Sequence, residues 1–125
     1  MKLHAKIWMT HDGKGVFGKG RADLLDAVEM TGSLSGAARH LGMSYRHAWS
    51  LIKATEERLR VPLLVRSKGG ARGGGAQLTD TARAMLATFR DIELGLSEFT
   101  QTHAGQLDTL SQHARKTEAA DDDSV

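Results

Sequence analysis

Leu3, Ala5, Ile7 and Met9 alternate with Lys2, His4, Lys6 and Trp8. A period of two predicts a strand. Asp12-Gly13 is a turn signal, and Val16-Phe17 suit a short return strand, so the chain is expected to open on a β-hairpin. The period then changes. Leu24, Leu25 and Val28 share one face of a helix over 21–31, and Gly32 is the expected stop.

Two short helices follow. Leu34, Ala37, Ala38 and Leu41 form one apolar face, with Ser33 or Ser35 available as the N-cap. Gly42 supplies a left-handed residue for a tight turn. Ser44 can cap a second helix over 45–59, whose inward positions Ala48, Ile52, Thr55 and Leu59 are spaced four, three and four. Ala37 is small enough to let the second helix cross close to the first. Two helices joined by a Gly-containing turn have the geometry of a helix-turn-helix.

Pro62 ends this helical stretch. Leu63 to Arg66 reads as a short strand, and Gln77-Leu78 as its return. The segment between, Ser67 to Ala76, holds five glycines with Lys68 and Arg72. Two strands around a basic glycine-rich loop form a wing. Thr79 and Asp80 open the last helix. Ala82, Phe89, Leu96 and His103 recur every seven residues, as do Met85, Ile92 and Phe99 with an offset of three. This is an a/d pattern, which predicts a helix over about 79–103 packed on a second helix. Residues 104–125, ending Asp121-Asp122-Asp123-Ser124-Val125, are polar and acidic and are expected to be disordered.

Charge sharpens the picture. The 125 residues carry a net +2, but residues 1–103 are +5 and residues 104–125 are −3. Residues 33–72 alone are +6. A basic segment that coincides with a helix-turn-helix suits a polyanion. There is no cysteine, hence no disulfide or thiolate metal site. The N-terminus lacks the apolar stretch of a signal peptide, and no apolar run is long enough to span a bilayer. A cytoplasmic, nucleoid-associated protein without membrane contact is expected. His4, His11, His40, His47, His103 and His113 show no metal-ligand spacing, so no metal or cofactor is expected. No nucleophile-base pair or P-loop ending appears, which argues against an enzyme.

The run Gly32-Ser33-Leu34-Ser35-Gly36-Ala37-Ala38, then Gly42-Met43-Ser44 and Leu59 to Arg66, resembles the LysR-type DNA-binding domain. Ser44-Tyr45-Arg46-His47-Ala48-Trp49 and the glycine-rich segment up to Gln77-Leu78-Thr79 narrow the resemblance to the ModE-type, molybdate-dependent transcription regulators. It covers roughly residues 3–100. It implies a homodimer on an inverted-repeat operator of molybdenum-related genes. Full-length members carry molybdate-binding domains after this one. The acidic, low-complexity stretch of 22 residues, 104–125, cannot enclose an oxyanion, which speaks against molybdate binding by this chain.

The expected fold is mainly α with a small β wing. It is a winged helix-turn-helix with an N-terminal β-hairpin and a long C-terminal dimerisation helix, covering 1–103. On the second motif helix, Tyr45, Arg46, Ser50 and Lys53 are expected to face outward. Arg46 is the candidate for a bidentate contact to guanine, Lys53 for phosphate, and Tyr45 and Ser50 for either. Ser33, Ser35 and Ser44 can add donors at helix N-termini, and His47 can also touch DNA. Lys68 and Arg72 offer charge from the wing. Trp49 is expected to pack against the first helices or the N-terminal strands, and Trp8 around the hairpin or across a dimer interface. Met85, Phe89, Ile92, Leu96 and Phe99 are assigned to dimerisation. An alternative is a protein-interaction adaptor on the same fold, without specific DNA binding.

Overall fold

A computed structural model describes residues 1–66 and 75–123, with side chains through Ala119. The chain divides into two compact units, Ile7–Asp91 and Met1–Lys6 with Ile92–Val125.

The unit Ile7–Asp91 opens on β1 (Trp8–His11) and β2 (Lys14–Gly18), paired antiparallel with Met9 opposite Phe17 and His11 opposite Lys14. Asp12 and Gly13 turn the chain with φ of 50° and 77°, the two positive angles that match the twist of a two-residue hairpin. The hairpin is shorter than the alternation from Leu3 to Met9 predicts. Trp8 already faces Gly18, the last residue of β2, so the residues before it meet no rung of this ladder.

Helix α1 (Lys19–Thr31) ends at Gly32, whose N–H bonds to the Val28 carbonyl from a left-handed conformation. Helix α2 (Leu34–Leu41) is capped by Ser33, whose Oγ accepts from the Gly36 N–H at 2.9 Å. Gly42, at φ 69°, turns the chain into α3 (Tyr45–Leu59), capped by Ser44 Oγ on the His47 N–H at 3.1 Å. Ala37 is fully buried and lets α2 and α3 approach closely. β3 (Leu64–Arg66) and β4 (Ala76–Leu78) pair antiparallel, with Leu64 opposite Leu78. The β4 end is tied to α1 by the Ala76 N–H on the Gly32 carbonyl at 2.8 Å. Thr79 then joins strand to helix. Its N–H bonds to the Leu63 carbonyl, and its hydroxyl caps the Ala82 N–H at the start of α4 (Asp80–Asp123).

The core collects Phe17 from β2, Leu24, Leu25 and Val28 from α1, Ile52 from α3, Leu63 and Leu78 beside the wing strands, and Phe89 from α4. Phe17 and Phe89 meet edge to face with centroids 5.1 Å apart. Thr55 is a buried polar hub. Its hydroxyl accepts from Arg21 Nε at 2.7 Å and faces the carbonyls of Val16 and Leu51 at 3.2 and 3.0 Å. Burial and the neighbouring Arg58 pull the Arg21 guanidinium below its ordinary pKa.

In the unit Met1–Lys6 with Ile92–Val125, the helix carries the structure. The Met1 ammonium pairs with Asp108 at 2.7 Å. Thr100 and Ala104 are buried. α4 continues to Asp123, where composition predicts disorder after residue 103. The reason is local. Residues 104–119 are dominated by Ala, Gln, Leu, Arg, Lys and other helix-compatible types without a proline, and extending an existing helix avoids the cost of nucleation.

Candidate nucleic-acid interface

α3 separates its residues by face. Ala48, Ile52 and Thr55 point into the core. Tyr45, Arg46, His47, Trp49, Ser50 and Lys53 are exposed. Ser33 and Ser44 hold helix amides with their oxygens, and Ser35 stands exposed on the first turn of α2. Each hydroxyl also carries one O–H to donate. The outward positions expected of α3 are therefore outward. Lys68 and Arg72 lie outside the described residues.

The place of Trp49 changes. Trp49, expected to pack against the first helices or N-terminal strands, is 47% exposed. The adjacent Ala48 takes the core side of α3, and one step of 100° carries the indole out of the core toward β3. Trp49 lines a cleft of about 430 Å³ between α3, α2 and the wing strands, together with Ser35, Tyr45, Lys53, Val65 and Arg66. Lys53, the candidate for phosphate, is exposed, lies 3.3 Å from Glu56 and places its ammonium 5.9 Å from the centre of the Trp49 ring. Glu56 in turn accepts from the Leu63 N–H at 2.7 Å, which fastens α3 to the entry of β3.

Sequence reasoning missed Arg66. It ends β3, is exposed, and enters the same cleft. The available signal was a cation placed on the last residue of a wing strand. Trp8 is 63% exposed rather than packed around the hairpin.

The dimerisation candidates divide as well. Phe89 is 3% exposed and Met85 is half-buried, both packed into the core of their own chain. They offer little surface to a partner, because the heptad repeat starts where α4 still covers its own domain. Ile92 and Phe99 are exposed and Leu96 half-buried. Leu94, Leu107 and Leu110, which the heptad omitted or did not reach, are exposed too. His103 stacks on Phe99 with ring centroids 4.2 Å apart. Among the described residues, no group of three His, Cys, Asp or Glu is placed to hold a metal, and no helix is long and apolar enough to cross a membrane.

A short helix, a glycine turn, an exposed basic second helix and a two-stranded wing together define a winged helix-turn-helix DNA-binding protein. Residues 21–83 match the model of the bacterial regulatory helix-turn-helix proteins of the lysR family. The chain belongs to that family. It is 36% identical over 101 residues to the molybdenum transport protein ModE of Azotobacter vinelandii, covering 81% of this chain and 35% of that one. It is 37% identical over 90 residues to the molybdenum-pterin-binding protein MopB of Rhodobacter capsulatus, covering 72% and 33%. The chain thus spans about a third of the length of the curated relatives it matches. Among solved structures, the CbnR DNA-binding domain in complex with DNA matches at a TM-score of 0.53 and 28% identity, over 69% of this chain and 94% of that one. The full-length LysR-type regulator LysG of Corynebacterium glutamicum shares the fold at a TM-score of 0.53 and 23% identity, over 70% of this chain and 28% of that one.

Proposed function

We propose that this chain binds an inverted-repeat operator as a homodimer and regulates molybdenum-related genes from the cytoplasmic nucleoid. The observation that carries the reading is α3. It buries Ala48, Ile52 and Thr55 and leaves Tyr45, Arg46, Ser50 and Trp49 outward, as a helix entering the major groove requires. Arg46 is the base-reading residue. Ser33, Ser35, Ser44 and His47 supply donors to the backbone, with Lys53 of α3 and with Lys68 and Arg72 from the wing segment. The likeness to ModE and MopB supports the molybdenum regulon. Exposed Ile92 and Phe99, with half-buried Leu96, support pairing through α4. With two copies related by a twofold axis, the half-sites lie about one helical turn apart.

The test is a titration of duplex DNA from upstream of the chain's own gene and of molybdenum genes, against a scrambled duplex, across salt concentrations. Sequence-dependent binding that weakens steeply with salt is expected. Arg46→Ala is expected to lose about 1–3 kcal/mol, and to lose it at one base position of each half-site. Repeating the titration with added molybdate shows whether the oxyanion alters DNA binding by this chain. Equal binding to both duplexes, or none at low salt, would overturn the reading and favour the protein adaptor.

A further inference from the structure

The cleft between α3 and the wing holds a residue that the fold does not need there. Trp49 is large and apolar, yet 47% exposed on the helix that must face a polyanion. Its neighbours are not those of an idle surface. Tyr45 lies one turn before it and Lys53 one turn after, so the three form a stripe along α3. The Lys53 ammonium stands 5.9 Å from the ring centre and 3.3 Å from Glu56. Glu56 is itself pinned by the Leu63 N–H at 2.7 Å. The indole is therefore braced from one face, by a chain of contacts that begins on the backbone of the wing entry. Val65 and Arg66 of β3 form the opposite wall of the cleft.

The geometry of a winged helix-turn-helix decides what enters this space. The second motif helix occupies the major groove, and the wing strands β3 and β4 stand beside it across the cleft. The strip of duplex between two adjacent grooves is the sugar-phosphate backbone of one strand. That strip offers an apolar deoxyribose face and a charged phosphate. The cleft offers an indole for the first, and the Arg66 guanidinium with the Tyr45 and Ser35 hydroxyls for the second. The acid in its lining, Glu56, is engaged by Lys53 and the Leu63 amide.

We propose that this cleft seats one strand's backbone, with Trp49 packed on a deoxyribose and Arg66 paired to the adjoining phosphate. The proposal rests on DNA binding by α3. It makes Trp49 a nonionic contributor to affinity, and Arg66 an ionic one. Those two kinds of contact respond differently to salt. A phosphate contact releases counterions and an indole-sugar contact does not.

The experiment uses a duplex that the wild-type chain selects from a random-sequence pool. Trp49→Ala is expected to weaken binding about 10-fold at every salt concentration, leaving the slope of log K against log salt unchanged. Arg66→Gln is expected to lower that slope by about 1. Trp49→Phe retains most of the affinity, since a phenyl ring still covers a sugar. In a Trp8→Phe background, where Trp49 is the remaining tryptophan, DNA is expected to shift its emission to the blue and to shield it from acrylamide. Should Trp49→Ala lower the melting temperature, the Trp49→Phe affinity and the acrylamide measurement carry the decision. If the wild type selects no duplex, DNA binding itself fails. If the wild type binds while Trp49 stays open to acrylamide in the complex, the seat is wrong. Shielding of Trp49 without DNA, rising with protein concentration, would give the cleft to a second copy and overturn the proposal.

Discussion

One helix lives in two settings. Up to Asp91, α4 belongs to the unit that begins at Ile7; from Ile92 it belongs with Met1–Lys6. In the first setting Ala82, Leu86 and Phe89 are buried against hairpin, helices and wing strands. In the second, Ile92, Leu94, Phe99, Leu107 and Leu110 remain exposed, and Phe99 keeps 60% of its surface. The heptad spacing is the same in both. Periodicity reports that a helix has an apolar stripe, but not which body covers it. Where the domain is present, its core does so. Beyond it, the stripe supports pairing with another chain.

The strongest way to break this comparison is to truncate one aromatic in each setting. Phe89→Ala is expected to cost about 3–5 kcal/mol, seen as a large fall in the urea midpoint at any protein concentration. Phe99→Ala is expected to cost far less, and its loss should depend on concentration, because it acts through assembly. Similar, concentration-independent losses would mean that the two settings are one.

Next in size is assembly itself. Ile92→Glu combined with Phe99→Glu is expected to raise the dimer dissociation constant at least about 100-fold in sedimentation equilibrium, with the helical circular dichroism retained. A dimer that survives both charges would place the interface elsewhere.

The self-sufficient unit can be probed at its polar hub. Thr55→Val keeps the volume but removes the acceptor of Arg21 Nε and the hydroxyl facing Val16 and Leu51. A loss of about 1–3 kcal/mol in chemical denaturation is expected. No loss would show that water replaces the hydroxyl.

The smallest effect concerns acid. Asp23 is partly buried, which by itself would raise its pKa. The hydrogen-bonded pairs with Lys19 at 2.8 Å and Arg90 at 2.9 Å outweigh burial and hold the carboxyl below its ordinary value. Arg90 also pairs with Asp26, so α1 and the first turns of α4 are joined through this cluster. A depressed carboxyl stabilises the folded state above the unfolded pKa of about 3.9, and that stability is lost as pH falls through the lower folded value. Asp23→Asn is expected to flatten the fall in urea midpoint below about pH 4. A mutant with the wild-type slope would assign the acid sensitivity to other carboxylates.

Local chemistry determined much of this protein. Ser33 and Ser44 sit where their oxygens cap α2 and α3, Gly32 and Gly42 where only a left-handed residue turns cheaply, and Asp12-Gly13 where a two-residue hairpin demands positive φ. Such devices act within a few residues, so spacing alone exposes them. The inward face of α3 was legible for the same reason. The fate of the large side chains was not. Trp49 has the hydropathy of a core residue, but Ala48 took its place. Lys53 has the charge of a phosphate contact, and the fold sets Glu56, held by the Leu63 amide, beside it. Residues 1–6 alternate like a strand, yet β2 ends at Gly18 and offers them no rung. Each outcome depended on which groups the fold brought together. Hydrogen-bond ladders, ion pairs and burial are properties of pairs, and only the tertiary structure decided which pairs met.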